Sequence, residues 1–171
     1  ASRGEILDRN GNPLVTNRQG NSVVFKYADF PEAKNQEDRN KLIYSLIKLF
    51  EKNDIEWTDR LPLKYQGGKL VVDEDKTQEF QYMVSENMLE LEKGTDSTAD
   101  ECLDALIERY GLQEYSRNDA RKIASVCFGM KYLSFSVTSP YTFAEDVPTE
   151  IVSIIMEMSE TYPGVKSETV S

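Results

Sequence analysis

The chain has 171 residues, with 20 lysines and arginines against 30 aspartates and glutamates, a formal net charge of −10 and no histidine. That length buries one respectable core, or a base with an inserted lobe, and falls short of two full-sized domains. The negative field repels phosphate backbones and anionic headgroups, which argues against nucleic acid as a partner, and the lack of histidine removes the usual neutral-pH acid/base and the commonest metal ligand. Any catalysis would fall to Ser, Lys, Tyr or carboxylates. No run approaches the roughly twenty apolar residues that span a bilayer, and the most apolar stretch, 151–158, is interrupted by Ser153 and Glu157. Nothing at the start reads as a signal peptide.

In chain order, Asn10-Gly11 is a strong hairpin signal, because both residues tolerate the positive φ that a tight turn between twisted strands requires. It predicts strands over 5–9 and 13–17, with Ile6 and Asp8 on one face of the first. A third strand is predicted over 22–27, where β-branched and aromatic residues concentrate, ending at Pro31. From 37 to 52, Leu42, Ile43, Leu46, Ile47, Leu49 and Phe50 recur at helical spacing. Gly67-Gly68 centres a second hairpin within 61–73, and 77–93 reads as a helix stopped by Gly94. Thr98-Ala99-Asp100-Glu101 has the form of a capping box, opening a helix that Gly111 ends. Ser116 to Asp119 opens another, which Gly129 is expected to break. Alternation of Leu133, Phe135 and Val137 predicts a strand over 132–138, closed by Pro140. The last helix, 149–160, is expected to be capped by Asp146, and 165–170 forms a final strand. There is no internal repeat or low-complexity linker.

Cys102 and Cys127 are the only cysteines, and their spacing fits no zinc or redox motif. Each falls at an apolar helical position, which reads as a buried free thiol; a disulfide is the other reading. The acidic runs Asp73-Glu74-Asp75 and Glu145-Asp146 lack the loop spacing of a calcium site and read as solvated charge, so neither metal nor cofactor is expected. Sixteen tyrosines and phenylalanines do not interleave with basic residues as a strand-binding surface would need. Most belong to the core, with Tyr65, Tyr82 and Tyr115 as candidates for a partner surface.

The opening run 3–16 sets Arg3-Gly4 before the first strand, Asp8-Arg9 against the turn, and Leu14 just after Gly11. It resembles the first motif of the non-catalytic N-terminal pedestal, or dimerisation, domain of class B penicillin-binding proteins: Arg-Gly, two or three variable residues, Asp-Arg, a variable residue, Gly, then Leu-Ala. Val15 stands where Ala is usual. A second resemblance lies at 144–150, Ala-Glu-Asp-Val-Pro-Thr-Glu, and at Tyr162-Pro163-Gly164-Val165, where the family opens a helix on an acidic-Val segment and leaves it through Pro-Gly-Val into a returning strand. Between roughly 30 and 140 the likeness is one of size and helical texture alone.

The resemblance implies an α+β fold with a discontinuous β-rich base, residues 1–30 plus 140–171, and a mostly helical inserted head, 31–139. It implies a non-enzymatic module at the extracytoplasmic face of the bacterial membrane, whose parent is a cell-wall D,D-transpeptidase anchored by a helix preceding Arg3. The partners it implies are the parent's own transpeptidase domain, cell-wall synthesis proteins such as a membrane glycan polymerase, and a second copy of the chain. Arg3, Asp8 and Arg9 would hold the base against the catalytic domain through bidentate guanidinium–carboxylate contacts, or would simply cap the hairpin. The first reading is favoured because Asp8 shares a face with Ile6, where an unpaired carboxylate is costly.

The family's acylation machinery needs a Ser with a Lys one helical turn on, a Ser-x-Asn, and a Lys-Thr-Gly. Ser45-Leu46-Ile47-Lys48 and Ser85-Glu86-Asn87 match the first two by pattern, and nothing reads Lys-Thr-Gly. Four-letter patterns with two fixed positions arise readily in a Ser- and Lys-rich helix, so Ser45 and Lys48 read as helix surface. A free-standing secreted or surface binding domain is the alternative to the module reading.

Overall fold

The computed structural model describes residues 6–7, 13–15 and 20–170. Strands β1 (Ile6–Leu7) and β2 (Pro13–Val15) pair antiparallel, Ile6 opposite Val15 and Leu7 opposite Pro13. β3 (Gly20–Phe25) follows, then α1 (Gln36–Lys52), the hairpin β4 (Leu63–Gln66) and β5 (Lys69–Val72), and α2 (Thr77–Val84). A single 3-10 turn at Gly94–Asp96 leads to α3 (Ala99–Tyr110) and α4 (Arg117–Tyr132). β6 (Tyr141–Ala144), α5 (Thr149–Glu157) and β7 (Val165–Val170) complete the described elements. The fold is α+β.

β3 is the centre of an antiparallel sheet ordered β6-β3-β7, so residues far apart in sequence share one ladder. It runs in continuous register with β7, Gly20 opposite Val170 through Phe25 opposite Val165. On its other edge, Val24 and Phe25 face Thr142 and Tyr141, with an irregularity before Val23 meets Ala144. α5 lies on β3 and β7, while α4 packs against α1, α2, α3 and β6. The reason α4 takes the middle is its composition: every residue from Ile123 to Met130 is buried, and a helix apolar all round must be covered on all sides.

Two predicted boundaries move, each for a local reason. α2 ends at Val84 instead of 93, because the Ser85 hydroxyl donates to the Tyr82 carbonyl (2.7 Å) and accepts from the Asn87 N–H (3.2 Å), a side-chain turn that competes with the helix. The chain then folds back so that the Leu89 and Leu91 N–H groups bond the Met83 and Val84 carbonyls, both at 3.0 Å. Gly129 does not break α4. The helix runs on to Tyr132, and Gly129 is where the Tyr141 ring passes so close that a Cβ would meet its hydroxyl.

The strand expected over 132–138 is absent. α4 occupies its start, Leu133 and Val137 are 41 % and 75 % exposed, and only a Ser136–Ser139 bridge remains. The sheet position is filled instead by β6, directly after Pro140. Nor does Asp146 cap α5. The capping residue is Pro148, without a side-chain bond, and β3 holds the helix entry: Asn21 accepts from the Val147 N–H at 2.8 Å and its side-chain amide donates to the Val147 carbonyl at 3.2 Å. The capping box forms as expected, Glu101 N–H to Thr98 Oγ1 at 3.1 Å and Thr98 N–H to Glu101 Oε1 at 2.9 Å.

Candidate functional site

Of the motif residues, Arg3, Gly4, Asp8, Arg9 and Gly11 lie outside the described residues, and Leu14 sits on β2. The second anchor is described fully. Gly164 has a φ of 78°, and a Cβ there would strike the backbone of Phe30. Its carbonyl accepts from the Lys26 N–H at 2.7 Å, and Val165 then enters the ladder opposite Phe25. The Pro-Gly-Val step therefore folds the last strand onto β3 around the crossing chain at Phe30, which only glycine permits.

The acylation pattern is not assembled. Lys48 Nζ bonds Asp119 Oδ1 across the α1–α4 contact at 3.0 Å, and that bond raises its pKa above the ordinary lysine value. A lysine held as a cation is the reverse of the base that a serine nucleophile requires. Ser85 is occupied as the stop of α2. Among the described residues no group of three or more metal-ligating side chains could hold an ion. Asp73, read from sequence as solvated, is 9 % exposed; its carboxylate accepts from the Asp75 N–H at 3.0 Å and lies 3.7 Å from Lys64 Nζ.

A polar cluster that the sequence did not flag joins α4 to the chain entering β4. Arg121, 7 % exposed, donates through Nε to the Leu63 carbonyl (2.9 Å) and through Nη1 to Asp59 Oδ2 (2.9 Å). Ser125 Oγ donates to Asp59 Oδ1 and accepts from the N–H groups of Arg60 (3.2 Å) and Leu61 (3.3 Å). Nearly every donor of the buried guanidinium and hydroxyl is thus used, and the cluster is a structural clamp. Its only sequence signal is an arginine on an apolar helix, with partners about sixty residues away.

The candidate partner tyrosines divide. Tyr65 is 44 % exposed on the β4–β5 hairpin, whereas Tyr82 packs edge-on to Phe128 and Tyr132, and Tyr115 packs against Tyr44. Both cysteines are buried free thiols, and burial pushes each up to about 12. No helix among the described residues is long and apolar enough to cross a membrane.

A discontinuous sheet, helices on the intervening chain and a Pro-Gly-Val return define a structural α+β module without an assembled serine centre among the described residues. The family model for the penicillin-binding protein dimerisation domain matches residues 1–171, and the chain belongs to that family. Comparison with curated proteins finds no match. Among solved structures, the chain is similar to penicillin-binding protein 2B from Streptococcus pneumoniae strain 5204, at 18% identity and a TM-score of 0.39, over 99% of this chain. It spans 24% of the length of that protein.

Proposed function

We propose that this domain is the non-catalytic extracytoplasmic scaffold of a peptidoglycan D,D-transpeptidase, setting the position of a catalytic domain that belongs to the same longer protein. The observation that carries this reading is the family match across all 171 residues. In this role residues 1–30 and 140–171 act as the base and 31–139 as the head, and the pairing of β3 with both β6 and β7 supports the division. The head presents surfaces to other wall-synthesis proteins, such as a membrane glycan polymerase, or to a second copy. A membrane helix outside this chain provides the anchor.

Arg3, Asp8 and Arg9 are the residues proposed to hold the base against the catalytic domain, as a hydrogen-bonded ion cluster that excludes water from the joint. Asp8→Ala in the longer protein tests this. The expected result is a lower melting temperature for the longer protein, with slower acylation by penicillin. Unchanged melting would sink the interdomain role.

A further inference from the structure

The chain carries ten more acidic than basic residues, yet one cavity is lined by cations and no carboxylate. It occupies 210 Å³ between the first turn of α1, the end of α3 and the last turns of α4, with Arg39, Arg109 and Lys131 on its walls beside Phe135. Elsewhere basic side chains are commonly answered: Lys41, Lys48, Lys93, Arg117, Arg121 and Lys122 each meet a carboxylate within 4 Å. Among the described residues none of the three cavity cations does.

Arg39 is held ready. Its Nε donates to the Pro31 carbonyl at 2.8 Å, and its guanidinium lies 5.5 Å and 5.8 Å from the ring centres of Phe30 and Phe135. The guanidinium lies beside two aromatic rings and its Nε is spent, which leaves the two terminal nitrogens, the end-on fork, for a ligand. No hydrogen-bond acceptor for them occurs among the described residues. Arg109 is anchored too, Nη1 to the Met88 carbonyl at 2.6 Å, while Lys131 makes no side-chain bond among the described residues. Partial burial lowers the pKa of Arg39 from the ordinary arginine value.

We propose that this cavity is a binding site for a compact oxyanion, a carboxylate or a phosphate, gripped by the terminal nitrogens of Arg39 with Arg109 and Lys131 completing the charge. Two oxygens on one centre match the end-on fork, and both chemistries offer them. The neighbouring cavity, which shares Gln36, Arg109 and Tyr110, carries Glu37, Glu108 and Glu114. Those carboxylates, with the overall negative charge, repel an extended polyanion while leaving room for a small one.

The test is isothermal titration of the 171-residue chain with malonate and with inorganic phosphate, each against chloride at matched ionic strength. One saturable site is expected for at least one of the two, and which one binds identifies the carboxyl or the phosphoryl source. Lys131→Gln should weaken binding roughly tenfold, as expected for one lost charge-assisted contact, without altering the melting of the free protein. Arg39→Gln should abolish it, and Lys69→Gln, on the distant β4–β5 hairpin, should leave it unchanged. Heats no larger than those of chloride, or equal weakening by Lys69→Gln and Lys131→Gln, would overturn the proposal.

Discussion

Two glycines show how single residues constrain this fold, because each gives way to another part of the chain. At Gly164 a methyl group would collide with the Phe30 backbone, which cannot rotate aside, and the positive φ adds strain of its own. Gly164→Ala should cost about 3 kcal/mol, read by urea denaturation. Gly129→Ala meets the Tyr141 hydroxyl, the end of a buried ring that β6 holds in place, and should cost about 2 kcal/mol. A loss of less than about half a kilocalorie in either variant would mean the close approach is wrongly placed. The cysteines make a chemical prediction at the same scale. With both thiols pushed up to about 12 by burial, neither should react with a disulfide reagent at neutral pH in the native protein, and both should react once it is unfolded. Fast labelling of the native protein would contradict the packing around α3 and α4.

Elements here are held by a few polar contacts added to apolar packing. The capping box at the start of α3 should be worth about 1 kcal/mol, lost in Thr98→Ala. Its carboxylate also makes α3 sensitive to acid: the Lys93 ammonium, then the Thr98 N–H, holds Glu101 down at about 2, below the 4.5 of a free glutamate. A depressed folded-state pKa stabilises above the unfolded value and is lost as pH falls from about 4.5 towards about 2. Glu101→Gln should flatten that part of the stability profile, and an unchanged slope would show that other carboxylates govern it. The clamp of Arg121, Asp59 and Ser125 fixes α4 to the chain entering β4. Arg121→Ala should cost about 3 kcal/mol, the low end for a buried pair because the Asp59 side chain is 37 % exposed. Local signals made α1, α3 and the β4–β5 hairpin legible in the sequence, since apolar spacing, a capping box and a Gly-Gly pair act within one turn. The end of α2 was not legible, because Met88 and Leu91 continue its apolar spacing after Ser85 has turned the chain away. β6 was hidden by the stronger alternation of Leu133, Phe135 and Val137 just before it, of which only Phe135 packs, against Tyr27 and Phe30.

At the scale of the molecule, the three-stranded sheet gathers early and late segments of the chain around β3, and one hydrophobic core runs on from it through α1 and α4. The Pro-Gly-Val return was legible through the family resemblance alone, and the structure adds the reason, a backbone crossing at Phe30 that Gly164 accommodates. The Arg121 clamp and the cationic cavity were not legible, because each is built from residues tens of positions apart that only tertiary packing brings together. Lys48 is held as a cation by Asp119, and the proposed function assigns the chemistry to another domain of a longer protein. The most direct test of that claim uses the native protein. An antibody raised to this chain would recover it from the source cells, for measurement of its mass and of labelling by fluorescent penicillin. The expected result is a membrane-bound species several times larger than this chain that takes the label. An unlabelled native species of about this size would contradict it and make the chain a free-standing binding domain.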